Sequence, residues 1–252
     1  MQLYFIRHGQ STNNAIWETN QYNMDGRVAD PPLTEKGFRQ AELTAELLSY
    51  KPEPKTAEDA DTWDPQNRKG FHLTHLYCSL MERAIQTGII IAHKTGLPLV
   101  GLTDIHEIGG IYHETTVGGV SNIEVMHGLT RAELDERYPT LNLHKPIPDH
   151  GWWVGGKEEL AQRPERAKRV LQFLKDHHSG TDDRVGIVTH GSFSAYIFRL
   201  ILNLNLAPNI DFITRNGFVS NNCGITRIDQ YGQDLAMLYY NRVDHLPDDL
   251  VT

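Results

Sequence analysis

Residues 3–12 of the chain read LYFIRHGQST, and every other part of the sequence can be related to this stretch. Its apolar and aromatic start predicts a buried β-strand. The strand is followed at once by Arg7, His8 and Gly9, and residues 11–13 are hydroxyl and amide types that begin helices. Because a helix N-terminus beside a strand end binds anions readily, a cation and an imidazole there favour phosphate chemistry. Three residues alone are weak evidence, since many buried strands end in a polar loop.

The composition limits the class of protein. The chain has 252 residues, 39% of them hydrophobic, which is enough for a large α/β domain with a substantial core. A net charge of −8 and a pI of about 5.9 argue against a nucleic-acid partner. We expect no targeting signal, because Arg7 interrupts the first apolar run, and no membrane span, because the most apolar predicted helix contains Arg199. Two cysteines, Cys78 and Cys223, predict buried free thiols in a cytoplasmic protein.

Predicted strands and helices alternate along the chain, which indicates an α/β fold. The alternation predicts a three-layer α/β/α sandwich around a mostly parallel sheet, in a single domain of residues 1–252. We expect an exposed insertion at 51–70, an irregular lid over the site at 111–157, and a tail in the last dozen residues. After the first strand, strands are predicted at 73–79, 97–102, 184–189, 222–228 and 235–240, and helices at 34–50, 130–138, 158–178 with a break near Pro164, and 192–204.

Polar side chains follow three further strands at the points where they end. Arg83 lies in the first turn of the helix after the second strand, Glu107 follows the third, and His190 follows the fourth. The turn at residues 190–192 repeats the opening order of strand, histidine, glycine and hydroxyl. Because ligands bind beyond the carboxyl ends of parallel strands, one site can collect these side chains with Arg7-His8. Taken singly, Arg83 is explained more simply by an ion pair, and Glu107 by a surface loop.

Taken together, these motifs resemble the histidine phosphatase superfamily, also called the phosphoglycerate-mutase-like family. The resemblance extends from residue 1 to about 240, and the insertion and the lid match none of its motifs. One departure is Gln10, where the family more often has Glu. The matching residues are Arg7-His8-Gly9 with Ser11 and Asn14, Leu33-Thr34 with Gly37 and Gln40-Ala41, Ser79 with Arg83-Ala84 and Gln86-Thr87, Glu107 before Gly109, and Thr189-His190-Gly191.

The resemblance implies a role for each residue around the phosphate. His8 would be the nucleophile and carry a transient phosphohistidine. Arg7, Arg83 and His190 would surround the phosphoryl oxygens, with Asn14 as a further substrate contact. The chemistry agrees, because an imidazole attacks phosphorus only through a neutral, aimed nitrogen, and two planar guanidiniums suit three charged oxygens.

The resemblance also implies a general acid. Glu107 would protonate the leaving oxygen and then activate water, which predicts a raised pKa for its carboxyl group. Glu114, in the same loop, is the alternative acid. We expect no cofactor and no metal, because the histidines of this region lack metal-ligand spacing and are interpreted as surface or pocket-lining residues. These histidines are His106, His113, His127, His144 and His150.

Three functions are compatible with this constellation. The first is a metal-independent phosphomonoesterase acting on a small phosphorylated metabolite, with a homodimer left open as its assembly. The second is a bisphosphoglycerate-primed phosphoglycerate mutase, for which the resemblance implies paired arginines in the lid. Arg131 and Arg137 are well separated there, and the bulky Trp152-Trp153 either line a substrate pocket or pack the lid onto the body. The third, a non-catalytic phospholigand-binding module, is disfavoured because every reactive residue type is present.

Overall fold

The computed structural model of the chain describes residues 1–19, 26–52, 63–117, 120–204 and 217–252, with the backbone alone at 114–117 and 120–121. The strands are β1 Gln2–Arg7, β2 His75–Ser79, β3 Leu99–Leu102, β4 Tyr112–Val117, β5 Val120–Val125, β6 Leu141–Leu143, β7 Arg184–Thr189, β8 Ile225–Tyr231 and β9 Asp234–Arg242. The helices are α1 Thr12–Thr19, α2 Glu35–Ser49, α3 Glu82–Thr95, α4 Arg131–Arg137, α5 Gln162–His178 and α6 Gly191–Ile201.

Seven strands form the main sheet, in the order β6-β3-β2-β7-β1-β8-β9. The five strands from β6 to β1 run parallel, and β8 and β9 close the sheet as an antiparallel hairpin. The predicted α/β fold with a mostly parallel sheet is therefore confirmed. Arg7, the last residue of β1, pairs with Thr189, the last residue of β7, so the two His-Gly turns lie side by side.

Helices cover both faces of the sheet, as the side chains of β1 illustrate. Tyr4 and Ile6 pack into one cluster with apolar residues of α2 and α3. Leu3 and Phe5 point to the opposite face and pack with residues of α5 and α6. All four are at most 2% exposed, and burying one such side chain contributes about 1.5–3 kcal/mol. The alternation of β1 thus joins the two halves of the three-layer sandwich.

Local capping signals set the helix boundaries. The Thr34 hydroxyl accepts a hydrogen bond from Gly37 N–H at 3.0 Å and begins α2, and Thr130 with Glu133 forms a capping box at α4. The predicted break at Pro164 is wrong. Helix α5 begins at Gln162, so the proline lies in its first turn, where no intrahelical N–H partner is needed.

The segment 111–157 is more regular than predicted. It holds the β4–β5 hairpin, helix α4 and β6, which extends the main sheet by pairing with β3. Strand β6 has only three residues, too few to give a periodic signal in the sequence. Trp152 and Trp153 are 4% and 9% exposed and belong to the core cluster on the α2 and α3 side. The burial of both side chains in this cluster agrees with the interpretation that they pack the segment onto the body of the domain.

Part of the predicted insertion is built into the core. Residues 53–62 of the segment 51–70 lie outside the described ranges. Asn67 is 5% exposed and donates a hydrogen bond from Nδ2 to the Tyr4 hydroxyl at 2.8 Å, and Gly70 is also buried. At these positions the expectation of an exposed loop is wrong, because a polar sequence does not reveal that one of its amides caps a buried phenol.

The last dozen residues, predicted as a tail, pack against helix α2. Leu246 is 7% exposed, and Gln40 Nε2 donates to the Leu250 carbonyl at 2.7 Å and to the Thr252 hydroxyl at 2.9 Å. The prediction failed because this segment has neither helical nor strand periodicity. Residues distant in the sequence hold it, among them the buried Gln40 and Thr44.

Two further predictions concern the cysteines and the membrane. Cys78 and Cys223 are buried free thiols, as predicted, and burial raises the pKa of Cys223 to about 12. Among the described residues, none of the helices combines the length and the apolar character needed to span a bilayer.

Candidate active site

The turn between β1 and α1 is held from three sides. His8 N–H donates to the Thr189 carbonyl at 3.0 Å, and Gly9 N–H donates to the Thr87 hydroxyl at 3.1 Å. On the third side Gly9 lies against Gly37 of α2, where a Cβ on Gly9 would come within 2.5 Å of the Gly37 carbonyl oxygen. Only glycine fits this close approach of two backbones. The histidine that follows the strand is therefore fixed in direction by its own main chain.

His8 presents one nitrogen toward the arginines. Its Nδ1 lies 2.7 Å from the Gly9 carbonyl oxygen, which can only accept, so Nδ1 carries the proton. Nε2 then has the lone pair, and Arg83 Nε donates to it at 3.1 Å. Burial, aided by the charges of Arg83 and Arg7, holds the pKa of His8 well below its usual value. The imidazole is neutral at pH 7, which is the form that a nucleophile needs.

Arg83 forms an ion pair, as the simpler interpretation of the sequence predicted, and it also contacts His8. Its side chain is 8% exposed, and besides His8 it contacts the Met81 sulfur at 3.2 Å and the Asp30 carboxylate at 3.6 Å. Burial raises the pKa of Asp30 to about 6, against the opposing effect of Arg83. Asp30 also accepts a hydrogen bond from Glu82 N–H at 3.1 Å, which ties this counter-charge to the first turn of α3.

Arg7 approaches the same place from the end of β1. One terminal nitrogen donates to the Ser220 carbonyl oxygen, and its buried Nε has no hydrogen-bond partner within the described part of the chain. Burial lowers the pKa of Arg7, partly offset by the charge of Glu107, and the charge of Arg83 lowers it further. The two guanidiniums and Glu107 therefore lie within electrostatic range of one another.

His190 faces His8 across the end of β7. It is fully buried, and the two ring centroids are 5.0 Å apart. Nε2 lies 2.9 Å from the Ser79 hydroxyl, while Nδ1 is buried with no partner among the described residues. Burial and the nearby charge of Arg83 hold the pKa of His190 well below its usual value, so this ring is also neutral.

Glu107 is anchored at the N-terminus of α6. Oε1 accepts from Ile108 N–H at 2.8 Å and from Phe193 N–H at 2.9 Å, and Oε2 accepts from Ser192 N–H at 3.3 Å. The first turn of a helix favours a negative charge, and here it also fixes the direction of the carboxyl group. The charge of Glu107 opposes the burial effect on the pKa of Arg83 as it does for Arg7.

Asn14 belongs to the scaffold of the turn. Its Oδ1 accepts from the Ser11 N–H and hydroxyl, both at 3.0 Å, and from Asn222 Nδ2 at 3.3 Å. The same Asn222 amide donates to the His8 carbonyl at 2.9 Å. Asn14 is thus joined to the turn that carries His8, and its role toward a substrate stays a prediction.

The structure brings five of the predicted residues to one place: Arg7, His8, Arg83, Glu107 and His190. Glu114, the alternative acid, belongs to β4, and its side chain lies outside the description. Asp30, Ser220 and Asn222 were missed as residues of the site. Asp30 and Ser220 come from segments with no periodic signal, and Asn222 was predicted as the first residue of a strand that in fact begins at Ile225.

His106 corrects one expectation about the histidines. It is 3% exposed, so of the surface and pocket-lining positions predicted for these histidines the surface one is wrong for His106. Its Nδ1–H donates to the Glu107 carbonyl at 2.8 Å. Its ring packs on Trp153 with 4.5 Å between centroids. Burial, together with Arg166, lowers the pKa of His106 to about 3. This histidine is a neutral part of the loop that carries Glu107.

Within the described ranges, one group of side chains has the composition of a metal site. It comprises His75, His178 and Asp183, at the start of β2, the end of α5 and the start of β7. His178 Nδ1 lies 2.9 Å from Asp183, and its Nε2 lies 3.1 Å from the Tyr77 hydroxyl. Both ring nitrogens of His178 are therefore already within hydrogen-bond distance of protein groups. The group lies at the end of the sheet opposite to His8.

The chain belongs to the histidine phosphatase superfamily, branch 1, whose family model matches residues 3–57 and 58–243. A region of 191 residues, 75% of this chain, is 27% identical to phosphoglycerate mutase-like protein 4 of Arabidopsis thaliana. The match spans 66% of the length of that plant protein.

Solved structures agree with the fold. A mycobacterial glucosyl-3-phosphoglycerate phosphatase, in complex with VO3, has a TM-score of 0.54 and 20% identity over 96% of this chain and 99% of its own. A phosphoserine phosphatase from Entamoeba histolytica, in complex with 3-phosphoglyceric acid, has a TM-score of 0.57 and 17% identity over 98% of this chain and 99% of its own. Both structural relatives are phosphatases of small phosphorylated metabolites, and the family membership supports phosphatase chemistry in this chain at that coarse level.

Proposed function

We propose that the protein hydrolyses a small phosphomonoester through a phosphohistidine at His8. The observation that carries this proposal is the neutral His8 ring, whose Nε2 lone pair is 3.1 Å from the guanidinium of Arg83. A fixed, neutral imidazole beside a buried cation is a nucleophile placed against a phosphate site. Family membership and the phosphatase names of the structural relatives support the same chemistry.

In the first step Nε2 of His8 attacks phosphorus, an N–P bond forms and the bond to the leaving oxygen breaks. Arg83 and Arg7 are placed to bind the equatorial oxygens, whose charge a metal neutralises in many other phosphotransferases. His190 supplies a further donor. The Ser79 hydroxyl accepts from Met81 N–H at 3.2 Å and can give its proton to His190 Nε2, which leaves the unpartnered Nδ1 as an N–H directed to the substrate.

Glu107 is the proposed acid and base. It gives its proton to the departing alkoxide, and in the second step it takes a proton from the water that attacks the phosphohistidine. Inorganic phosphate leaves and the neutral His8 is restored. Glu107 lies within electrostatic range of both Arg7 and Arg83, which puts its carboxyl group beside the proposed phosphate site. Glu114 stays the alternative acid.

A phosphoglycerate mutase is the second candidate, because the plant relative is named as mutase-like. Two observations favour hydrolysis. Arg131 forms an exposed ion pair with Asp135, and Arg137 forms an ion pair with Glu82. The two arginines therefore do not form a pair that could bind a substrate carboxylate. A mutase must bind the carboxylate of its intermediate while the phosphoryl group moves, and two adjacent arginine side chains suit that task.

The test is hydrolysis of p-nitrophenyl phosphate in excess chelator, with the wild type and His8→Ala compared. We expect the wild type to turn over and the variant to lose at least ~10³-fold in kcat, because it lacks the nucleophile. Turnover that survives His8→Ala would contradict the proposal. Interconversion of 2- and 3-phosphoglycerate that depends on 2,3-bisphosphoglycerate, with no phosphate release, would favour the mutase.

A further inference from the structure

A buried ion pair lies directly behind the loop that carries Glu107. Glu158 and Arg166 are 6% and 3% exposed. Arg166 donates hydrogen bonds to both carboxylate oxygens of Glu158, from Nε to Oε1 at 2.6 Å and from Nη2 to Oε2 at 2.8 Å. Burying two charges is costly, and replacing such a pair by apolar residues is often neutral for stability or even stabilising. The pair therefore needs another explanation, and its remaining hydrogen bonds provide one.

Those hydrogen bonds are directed at the main chain on both sides of the proposed acid. Arg166 Nη1 donates to the carbonyl oxygens of Asp104 and His106, at 2.9 and 2.8 Å. After the acid, Gly109 N–H donates to the Glu158 carboxylate at 3.1 Å, and Glu158 N–H donates to the Gly109 carbonyl at 3.0 Å. Two charged side chains thus fix both ends of a six-residue loop.

The pair also reaches the second element that holds Glu107. The Arg166 guanidinium lies 4.2 Å from the ring centroid of Phe193, in the first turn of α6. Phe193 N–H donates to Glu107 Oε1 at 2.9 Å. The same buried guanidinium therefore contacts both the loop that carries Glu107 and the residue whose N–H binds the Glu107 carboxyl group.

We propose that Glu158 and Arg166 are positioning residues that set the place of the Glu107 carboxyl group for proton transfer to the leaving oxygen. The inference rests on the proposed function, since it assigns the pair to one step of that reaction. They act through the main chain of residues 104–109 and through Phe193. Effective proton transfer requires a heavy-atom distance within hydrogen-bond reach, so a small displacement of this loop removes the benefit.

The test compares two substrates that differ in their need for an acid. p-Nitrophenolate leaves without a proton, whereas the alkoxide of glycerol 2-phosphate does not. We expect Glu158→Gln to lower kcat/KM for glycerol 2-phosphate about 10–100-fold, and for p-nitrophenyl phosphate less than about threefold. Glu165→Gln is the matched control, because Glu165 lies on the helix that carries Arg166, in an exposed ion pair with Lys168. It should change neither value.

A double variant, Glu158→Met with Arg166→Met, removes both charges together, so its effect cannot come from one buried charge left without a partner. It also leaves the carbonyls of Asp104 and His106 and the Gly109 N–H without these partners. We therefore expect a lower melting temperature with a transition that stays cooperative, and the same substrate-dependent loss at a temperature where the variant is folded. Equal losses on both substrates, or none, would overturn the inference. If the wild type hydrolyses neither substrate, the proposed function itself fails. If Glu107→Gln shows the selective loss and both Glu158 variants do not, only the positioning role fails.

Discussion

The main chain of the turn that carries His8 is hydrogen-bonded to a side chain of helix α3, in addition to the contact between His8 and Arg83. Gly9 N–H donates to the Thr87 hydroxyl at 3.1 Å, and that hydroxyl in turn donates to the Arg83 carbonyl at 2.8 Å. The hydroxyl therefore links the main chains beside the nucleophile and beside the buried arginine. Its loss would leave a buried donor without a partner.

Replacing Thr87 by valine should remove the link between the main chains of Gly9 and Arg83. The methyl group has the size of the hydroxyl but cannot accept the Gly9 N–H, so we expect the free energy of unfolding to fall by about 1–3 kcal/mol and turnover of p-nitrophenyl phosphate to fall with it. Urea unfolding and steady-state kinetics measure both. Thr95→Val is the control, because Thr95 donates to Ile91 O at 2.8 Å on the same helix without serving that turn. An equal effect of both variants would contradict the argument.

Single residues were predictable where they directly follow a strand. Arg7 and His190 were placed from local patterns, because the end of a strand and the start of a helix both have short-range signals. Asp30 and Asn222 were not, since each reaches the site from a loop far along the chain and only the folded backbone brings it near. The buried pair Glu158 and Arg166 was missed because both lie within the helix predicted at 158–178, whereas α5 begins at Gln162 and Glu158 lies in the turn before it.

At the scale of elements, helix α2 and the turn after β1 cross with no side chain between them. A Cβ added to Gly37 would come within 2.1 Å of the Gln10 carbonyl oxygen. Gln10 N–H also donates to Gln40 Oε1 at 2.7 Å, which holds the turn onto the same helix. The helix thus acts as a rigid support for the segment that directs His8.

The substitution Gly37→Ala should force the helix and the turn apart. We expect the free energy of unfolding to fall by about 1–3 kcal/mol, as in other overpacked sites, and kcat to fall because the nucleophile is displaced. Arg39→Ala, on the exposed part of the same helix, should leave both quantities near the wild-type values. Normal activity in Gly37→Ala would show that the close approach does not position His8.

Elements with a strong local signal were predicted and the weak ones were not. Strand β7 and the capped helix α2 were recognised because an apolar run and a threonine cap are short-range features. Strand β6 is held by its pairing with β3, and the C-terminal segment by contacts with distant residues such as Gln40 and Thr44. Such elements depend on tertiary contacts that leave no period in the sequence.

At the scale of the whole molecule, the sheet carries one layer of helices on each of its two faces. Helix α3, after β2, packs on one face and helix α6, after β7, packs on the other. The carboxyl ends of β2, β7 and β1 therefore lie side by side between the layers, at the position where ligands bind in sheets of this kind. Arg83 and His190 reach this position from different layers, so the intact sandwich assembles the site.

This assembly buries histidines as neutral rings, which makes the stability of the molecule depend on acidity. Burial lowers the pKa of His8, His106, His190 and His245, to about 3 for His106 and about 4 for His245. The unfolded chain takes up these protons below about pH 6.5 while the folded chain does not. Stability is therefore fully present above that pH and is lost as the pH falls. Asp30 opposes the trend, because its raised pKa of about 6 favours proton uptake by the folded state.

We expect the free energy of unfolding to fall between pH 7.5 and pH 5, by about 2 kcal/mol for each fully buried histidine. His245 isolates one contribution, since the Thr44 hydroxyl donates to Gln40 O at 2.8 Å and accepts from His245 Nε2 at 2.9 Å. His245→Gln can keep that donor without a titrating ring, so urea unfolding should show a pH-dependent loss smaller by about 1–2 kcal/mol. His93→Gln, at an exposed position of α3, is the control and should keep the wild-type slope. An unchanged slope in His245→Gln would mean that this ring takes up its proton equally well in the folded chain.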